Sequence, residues 1–156
     1  MAVRLVQPGT DAEWGHARRL VEEYATSLGV DLSFQDIAHE LDHLQDEYAA
    51  PSGAFVLAGE GDAFVGCVGV RRFADGIAEM KRMYTVPAAR GRGVGRLLAE
   101  RAIREARALR YARLRLDTLP TMKSAQSLYL SLGFRAIEAY RFNPIAGTAY
   151  LELELT

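Results

Sequence analysis

The stretch VPAARGRGVG, residues 86–95, combines three glycines with two arginines directly after an apolar segment. Glycine lets the backbone approach a ligand closely and adopt positive φ, and arginine adds charge that suits a phosphate. Apolar residues at helical spacing follow this glycine loop, so it joins a strand to the start of a helix. Free backbone N–H groups at a helix N-terminus bind anions. The stretch therefore predicts a phosphate-binding loop, and a purely structural glycine turn is the alternative.

Two familiar phosphate loops are excluded by the residues that end this stretch. A P-loop requires Lys followed by Ser or Thr, whereas Arg96 and Leu97 occupy these positions. The dinucleotide fingerprint G-x-G-x-x-G requires a third glycine where Arg96 stands. The ligand must be inferred from the elements around the loop.

Working outward from the loop, strands and helices follow one another without a repeat or a linker. Turn signals and apolar periodicity predict the order β-α-α-β-β-β-α-β-α-β-β. The predicted strands are VRLVQP, AFVLAG, AFVGCVGV, IAEMKRMYTV, ARLRLDT, FRAIEAY and TAYLELEL. The second helix is expected to carry Phe34, Ile37, Leu41, Leu44 and Tyr48 on one face. We expect one α/β domain over residues 1–156, with a mixed, mostly antiparallel sheet of about seven strands and four helices.

Composition limits the classes of function. The formal net charge of −1 gives no drive toward nucleic acid or an acidic membrane. The single cysteine, Cys67, excludes an internal disulfide, and the three histidines show no metal-ligand spacing, so no metal is expected. No apolar segment approaches a membrane span, so a cytoplasmic location is the expectation. The oligomeric state stays open, a homodimer included.

The glycine loop and its neighbours resemble one family. RGRGVG fits the pattern Q/R-x-x-G-x-G/A, and EMKRMYTVP and LYLSLGF fit the flanking segments, of the GNAT superfamily of acyl-CoA-dependent N-acyltransferases. The order of elements is similar over nearly the whole chain, and the residue-level resemblance lies between Glu79 and Phe134. The resemblance implies acetyl-CoA as cosubstrate and two central parallel strands, ending at Val86 and Asp117, that splay apart.

The resemblance also implies where acetyl-CoA binds. Its pantetheine arm would bond to the backbone around Met83, Tyr84 and Val86. Amides of the loop and the first helical turn would hold the pyrophosphate. These residues are Arg90, Gly91, Arg92, Gly93, Val94, Gly95 and Arg96. One position departs from the family, because Met122 stands where many members carry an Asn that contacts the arm.

Two residues match positions where the family places catalytic groups. Tyr129, four residues before Gly133, would be the general acid for the leaving thiolate, and an aromatic residue covering the core is the alternative. Glu79, eleven residues before Arg90, would be the base, and a salt bridge to Lys81 or Arg72 is the alternative. Regular strand alternation places Glu79 on one face of its strand with Lys81 and Met83. It places Met80, Arg82 and Tyr84 on the other.

The expected reaction is transfer of an acetyl group to a primary amine by direct attack. The alternative is an acyl-CoA-binding sensor without turnover. The resemblance implies an acceptor site shaped by the first two helices, by their connection and by the loop between the last two strands, and the candidate residues are Phe34, Tyr140 and Asn143. A small amine, an amino acid, a peptide N-terminus and a protein lysine all remain open as the acceptor.

Overall fold

The computed structural model describes residues 2–29 and 36–156. The strands are β1 (Val3–Val6), β2 (Ala54–Glu60), β3 (Ala63–Ala74), β4 (Ile77–Thr85), β5 (Arg113–Thr118), β6 (Arg135–Ala136) and β7 (Ala149–Glu154). The helices are α1 (Asp11–Ser27), α2 (Ile37–Asp42), α3 (Leu44–Glu47), α4 (Val94–Ala108) and α5 (Lys123–Ser131), with a 3₁₀ turn at Pro87–Ala89. Within these described ranges, no helix has the length and apolar character needed to cross a membrane.

All seven strands belong to one sheet, in the order β1-β2-β3-β4-β5-β7-β6. Neighbours pair antiparallel except β4 and β5, which are parallel. The predicted α/β fold with a mixed, mostly antiparallel sheet of seven strands is confirmed.

Helices cover both faces of this sheet. One core forms between the sheet and α4 and α5, with Val68, Met80, Leu98 and Leu114 buried in it. The other forms against α1, α2 and α3, where Leu20 meets residues of β2 and β3. A capping box between Thr10 and Glu13 fixes the start of α1 by satisfying backbone N–H groups that the helix itself leaves unpaired. The sheet is thereby a rigid frame with its interior strands buried on both faces.

The region predicted as the second helix is two helices, so the described residues form five α-helices where the sequence predicted four. The break falls at His43, whose φ of −127° and ψ of 28° are not helical. The backbone N–H and ring Nδ1 of His43 both bond the carbonyl oxygen of His39, at 3.1 and 2.9 Å. The backbone bond is the ordinary helical one, whereas the ring bond uses the same carbonyl oxygen and competes with continuation of the helix. Phe34, expected on this helix, lies outside the described residues.

The strand predicted as FRAIEAY is far shorter, because only β6 pairs with β7 before the chain leaves the sheet. The segment at 137–148 has no regular strand or helix. Asn143 Oδ1 accepts a hydrogen bond from the backbone N–H of Ile145 at 2.9 Å, and Pro144 between them cannot donate to a ladder. We call residues 137–148 the β6–β7 segment.

The parallel strands β4 and β5 separate after three paired positions. Their register runs from Ile77 opposite Arg113 to Glu79 opposite Arg115 and then stops. Beyond that point the edge of β4 has no strand beside it on the β5 side. The splay that the resemblance implied is therefore present, and its open backbone edge can bond a ligand.

A β-bulge in β4 changes which side chains share a face. Gly69 of β3 lies opposite Lys81, and Cys67 lies opposite Tyr84, so β4 carries one extra residue here. Arg82 has a φ of +60°, a conformation that residues other than glycine rarely adopt. The predicted regular alternation is therefore wrong from this residue onward.

Packing shows the new arrangement. Met83 packs in the core beneath α4 and α5 together with Met80, whereas Tyr84 packs against α1 on the other face. Arg82 contacts Glu40 of α2, and Lys81 contacts Asp117 of β5. Although they are adjacent in sequence, both side chains therefore lie on the α1–α3 side of the sheet. The bulge therefore concentrates two basic side chains at the splay.

Candidate active site

A cleft of about 800 Å³ opens where β4 and β5 separate. Its walls are the second half of β4, the end of β5, the C-terminal end of α1, the glycine loop, the start of α5 and part of the β6–β7 segment. The cleft therefore connects the glycine loop with the end of α1 and with the β6–β7 segment.

The glycine loop presents bare backbone to this cleft. Gly91 and Gly93 have φ values of +80° and +81°, which favour glycine. A Cβ added at either residue would meet no described atom within 4 Å, so the space above the loop is open. Gly93 precedes the first turn of α4, and no described side chain caps that turn. Its unsatisfied N–H groups and the positive end of the helix dipole suit an anion.

The side chains of the three arginines in this region have different contacts. Arg90 lines the cleft, donates from Nε to the carbonyl oxygen of Thr85 at 3.0 Å, and lies over the ring of Tyr84. Arg92 pairs with Glu60 at 2.8 Å. Arg96 donates to Ser131 at 2.8 Å and approaches Glu100. Arg92 and Arg96 are thus engaged with other groups, and the backbone together with Arg90 forms the inner surface of the loop.

The wall along β4 holds the residues expected to bond the pantetheine arm. Met83 and Tyr84 line the cleft. Val86 differs, because its N–H donates to Val65 at 2.8 Å and its carbonyl oxygen accepts from Ala89 at 2.9 Å. The open edge for an extended ligand is therefore the part of β4 before Val86.

Tyr129 lies on α5 and lines the same cleft. Its hydroxyl donates to Sδ of Met83 at 3.9 Å, a weak partner that leaves the group available to a ligand. Burial raises the pKa of Tyr129 well above its usual value. Its ring packs on Phe134 at 5.7 Å, so it also covers the core as the alternative interpretation expected.

Glu79 lies on β4 behind the cleft, and the described lining does not include it. Its side chain is 1% exposed. Oε2 accepts from the Tyr140 hydroxyl at 2.9 Å, and Oε1 accepts from Arg141 at 2.8 Å with Arg71 at 3.8 Å. These partners differ from Lys81 and Arg72, which the salt-bridge alternative named.

Comparisons with known proteins identify a family of enzymes to which this cleft is suited. The profile of the acetyltransferase (GNAT) family matches residues 16–134. An uncharacterized N-acetyltransferase of Schizosaccharomyces pombe is 39% identical over 141 residues, which are 89% of this chain and 86% of that protein. A GNAT-family acetyltransferase structure from Staphylococcus aureus has a TM-score of 0.81 at 19% identity, covering 99% of this chain and 100% of that one. An acetyltransferase of Salmonella typhimurium, solved with its cofactor acetyl-CoA, has a TM-score of 0.71 at 19% identity, covering 100% and 95%.

The chain belongs to the GNAT family of acetyltransferases. It is an N-acetyltransferase with acetyl-CoA as cosubstrate, as the sequence predicted. Across residues 2–29 and 36–156, no group of three His, Cys, Asp or Glu side chains is placed to hold a metal ion.

Where β4 and β5 diverge, this GNAT cleft contains a charged pair whose proximity the sequence did not predict. Lys81 of β4 and Asp117 of β5 face each other across the splay, with 3.7 Å between Nζ and Oδ1. Both line the cleft, and both are more than nine-tenths buried. β4 and β5 are distant from each other in sequence, so only the tertiary structure brings Lys81 and Asp117 together.

A second missed residue is Glu40 of α2. It is 2% exposed and accepts from Arg82 at 2.7 and 3.0 Å, from Arg71 at 3.2 Å and from the Tyr48 hydroxyl at 3.1 Å. Burial alone would raise the pKa of Glu40, but the hydrogen bonds and charge of Arg82, with Arg71, bring it below its ordinary value. A signal existed, because Glu40 lies three residues after Ile37 and four before Leu44 on the apolar face of the helix.

The three candidate acceptor residues have different positions in this GNAT fold. Asn143 lines the cleft. Tyr140 is directed to Glu79 and packs on Phe73 and Tyr150, with ring centroids 4.9 and 5.2 Å apart, so it supports the wall from behind. Phe34 lies outside the described residues.

Proposed function

We propose that this GNAT enzyme transfers the acetyl group of acetyl-CoA to a primary amine by direct attack, within the cleft between β4 and β5. The observation that carries the proposal is the continuity of this cleft. It runs from the open glycine loop, past Met83 and Tyr129, to a buried charged pair at the splay. A phosphate-binding end, an extended strand edge and a polar end thus follow one another in the order that acetyl-CoA and an amine require.

The pyrophosphate would bind to backbone N–H groups of the glycine loop and the first turn of α4. Gly91, Gly93 and Gly95 line the cleft here, and Arg90 adds charge. The pantetheine arm would follow the open edge of β4 at Met83 and Tyr84. Val86 lies next to this edge, but its own backbone N–H and carbonyl oxygen are already hydrogen-bonded, so it would contact the arm without bonding it.

An acyl-cysteine intermediate finds no support, because the only cysteine of the chain is inaccessible. Cys67 is fully buried, and its Sγ donates to the carbonyl oxygen of Arg82 at 3.3 Å. Burial raises the pKa of the Cys67 thiol well above its usual value, and the reactive form of a thiol is the thiolate. Direct attack of the amine is the simpler chemistry for this cleft.

Tyr129 would protonate the thiolate of CoA as it leaves. Its raised pKa keeps the hydroxyl protonated at neutral pH, and a thioether partner holds it only weakly. The hydroxyl thus carries a proton at neutral pH and is free to reach a sulfur in the cleft.

Glu79 remains a proposed participant in removing the proton of the amine. Its carboxylate is already bonded to Tyr140 and Arg141 and lies behind the cleft wall, so it would act through a group between it and the acceptor. Lys81 is the cleft-lining side chain whose charge interacts with Glu79.

We also propose a cytoplasmic location, supported by a free cysteine in a buried position, and we keep a homodimer as a hypothesis. Sedimentation of the purified protein tests the second. The acceptor class stays open among small amines, amino acids, peptide N-termini and protein lysines.

The test is release of free CoA thiol across an acceptor panel of propylamine, 2-phenylethylamine, spermidine, L-lysine and a lysine-containing peptide. We expect acetyl-CoA at 100 times its dissociation constant to stabilise the fold by about 2.7 kcal/mol. We expect thiol release with at least one amine. A melting temperature unchanged by millimolar acetyl-CoA would contradict the cleft assignment, and binding without thiol release would favour the sensor.

A further inference from the structure

Asp117 has an unsatisfied oxygen at the acceptor end of the cleft. It is near the end of β5, its side chain is 8% exposed, and its Oδ2 has no hydrogen-bond partner among the described residues. Buried carboxylate oxygens are nearly always paired, because leaving one unpaired costs the solvation it had in water. An unpaired oxygen in a cleft wall indicates a donor that arrives with a ligand.

Lys81 is held beside Asp117 by charge rather than by a fixed hydrogen bond. Its side chain is 3% exposed, and 3.7 Å separates Nζ from Oδ1 of Asp117. Burial lowers the pKa of Lys81 to about 8, against the opposing charges of Glu79 and Asp117. Near neutral pH a fraction of Lys81 is therefore an uncharged amine that can accept a proton.

The charged and titratable groups around this pair come from several elements. Arg82 and Arg141 lower the pKa of Lys81 by like charge, and Glu79 raises it. Tyrosines complete the surroundings, and burial raises their own pKa values, so they are neutral at neutral pH. They are Tyr24 of α1, Tyr140 of the β6–β7 segment and Tyr150 of β7.

From this geometry we propose that Lys81 and Asp117 form the proton-accepting pair of the acceptor site. Oδ2 of Asp117 receives the ammonium group of the incoming amine, and Nζ of Lys81 takes one of its protons. The proposal deepens the proposed function, and it rests on an amine being the acceptor.

Charge repulsion sets the protonation state of the pair. Two ammonium groups beside one buried carboxylate repel each other, so Lys81 is in its neutral form, its proton lost to solvent, when the protonated acceptor is bound. Neutral Lys81 then takes a proton from the acceptor, and the freed lone pair forms the C–N bond to the thioester carbonyl carbon. The C–S bond then breaks, and sulfur takes a proton from Tyr129, which regains one from the new amide nitrogen. Lys81 returns its proton to solvent through the cleft, so one proton is released per turnover.

The chain offers a direct measurement of this pair, because Lys81 and Lys123 are its only lysines. A protein labelled with ¹⁵N-lysine gives two side-chain signals, which Lys123→Arg assigns. We expect Lys81 to titrate near pH 8, about two pH units below an unperturbed lysine. Asp117→Asn should move the Lys81 titration to still lower pH, because it removes a carboxylate that favours the charged amine.

A ligand arm follows with CoA-bound protein and propylamine as the probe. We expect propylamine to shift the Lys81 signal in the wild type and to have at least tenfold weaker effect in Asp117→Asn. A Lys81 signal that titrates as an unperturbed lysine, near pH 10.4, or one that propylamine leaves unchanged although propylamine is acetylated, would overturn the proposal.

The kinetic arm uses the amine of the panel that is acetylated most rapidly. Loss of a general base costs about 10²- to 10⁴-fold, so we expect Lys81→Gln to lower kcat/KM by at least about 100-fold at pH 7.5. Lys81→Arg keeps the charge but cannot give up a proton, so it should lose as much. The wild-type profile should rise toward pH 8, and both variants should lose this inflection while CoA affinity changes less than about threefold.

These arms separate failure of the pair from failure of the function. If no amine is acetylated, the proposed function fails, and the proposal that rests on it falls with it, whatever the lysine titration shows. If an amine is acetylated and Lys81→Gln stays within threefold of the wild type, the pair is overturned alone. Retention of the pH inflection in Lys81→Gln with its loss in Glu79→Gln would assign proton removal to Glu79.

Discussion

The two ends of the cleft differ in the chemical groups that form them. At the cosubstrate end, glycines expose backbone N–H groups, and Arg92 and Arg96 are half exposed and engaged with groups outside. At the proposed acceptor end, charged side chains are buried or partly buried and paired with one another. These are Glu40, Arg71, Glu79, Lys81, Arg82, Asp117 and Arg141.

The difference reflects what each end must recognise. A pyrophosphate is the same in every reaction cycle, and a helix N-terminus binds it through backbone groups that do not depend on particular side chains. The acceptor amine is the substrate that the enzyme must select. Its ammonium group must pair with a group of opposite charge where little water is present. The network at that end includes pairs that are distant in sequence, such as Arg71 with Glu40, 31 positions apart, and Arg141 with Glu79, 62 positions apart. Changes at the two ends should therefore affect different measurements.

The largest expected effect lies between the two ends, at Tyr129. Tyr129→Phe keeps the ring that packs on Phe134 and removes only the hydroxyl. Loss of a general acid typically costs about 10²- to 10⁴-fold, so we expect turnover to fall by that factor. Steady-state thiol release measures it, and CoA affinity and melting temperature serve as controls. A turnover number within a few-fold of the wild type would leave Tyr129 as a core residue only.

The next effect tests the acceptor end through stability. Glu40→Gln removes the carboxylate that accepts two hydrogen bonds from buried Arg82. Breaking a buried ion pair by removing one partner costs about 3–5 kcal/mol, so we expect that loss in the free energy of unfolding near pH 7. Urea unfolding measures it. Acetyl-CoA affinity at the other end should be nearly unchanged at a temperature where the variant is folded.

The pH dependence of this loss follows from the lowered pKa of Glu40. A carboxyl with a lower pKa in the folded state stabilises the fold above its unfolded value of 4.5, and this contribution disappears as the pH falls through the folded pKa. The difference between wild type and Glu40→Gln should therefore shrink below pH 4.5. Glu47→Gln is the matched control, because Glu47 is partly exposed and 3.5 Å from Arg71. Equal losses in both variants at pH 7 would contradict the special role of Glu40.

The smallest of these effects concerns the cosubstrate end. Gly93→Asp places a side chain and a negative charge above the open loop, so we expect acetyl-CoA affinity to fall on the order of 100-fold, about 2.7 kcal/mol. Gly76→Asp is the control for backbone strain, because Gly76 also has positive φ, +73°, but lies in the turn between β3 and β4. Isothermal titration with acetyl-CoA compares the two.

Two further measurements sharpen this result. Arg92→Ala should change acetyl-CoA affinity by less than about threefold, because Arg92 is committed to Glu60 and exposed ion pairs contribute little. If Arg92→Ala weakens binding as much as Gly93→Asp, arginine charge rather than backbone is the main phosphate ligand. If Gly93→Asp binds as the wild type does, the loop is structural.

Sequence reasoning succeeded where structure follows from neighbours along the chain. The strand, glycine loop and helix around residues 77–108 come from local periodicity and from the positive φ of Gly91 and Gly93, and the sheet with its splay came with the family resemblance. It failed at the bulge, because one extra residue at Arg82 reverses the alternation of β4 beyond it. It also failed at His43, where local hydrogen bonds override a continuous apolar stripe.

By itself the sequence determined the order of the strands, the position of the glycine loop and membership in the GNAT family, since each depends on residues close together in the chain. Only the tertiary structure decided that Lys81 meets Asp117, that Arg82 meets Glu40 and that Glu79 is enclosed by Tyr140 and Arg141. The physical reason is the same in each case. A buried charge is tolerated only when a partner reaches it, and that partner is supplied by whichever distant segment the splayed strands and the bulge bring alongside.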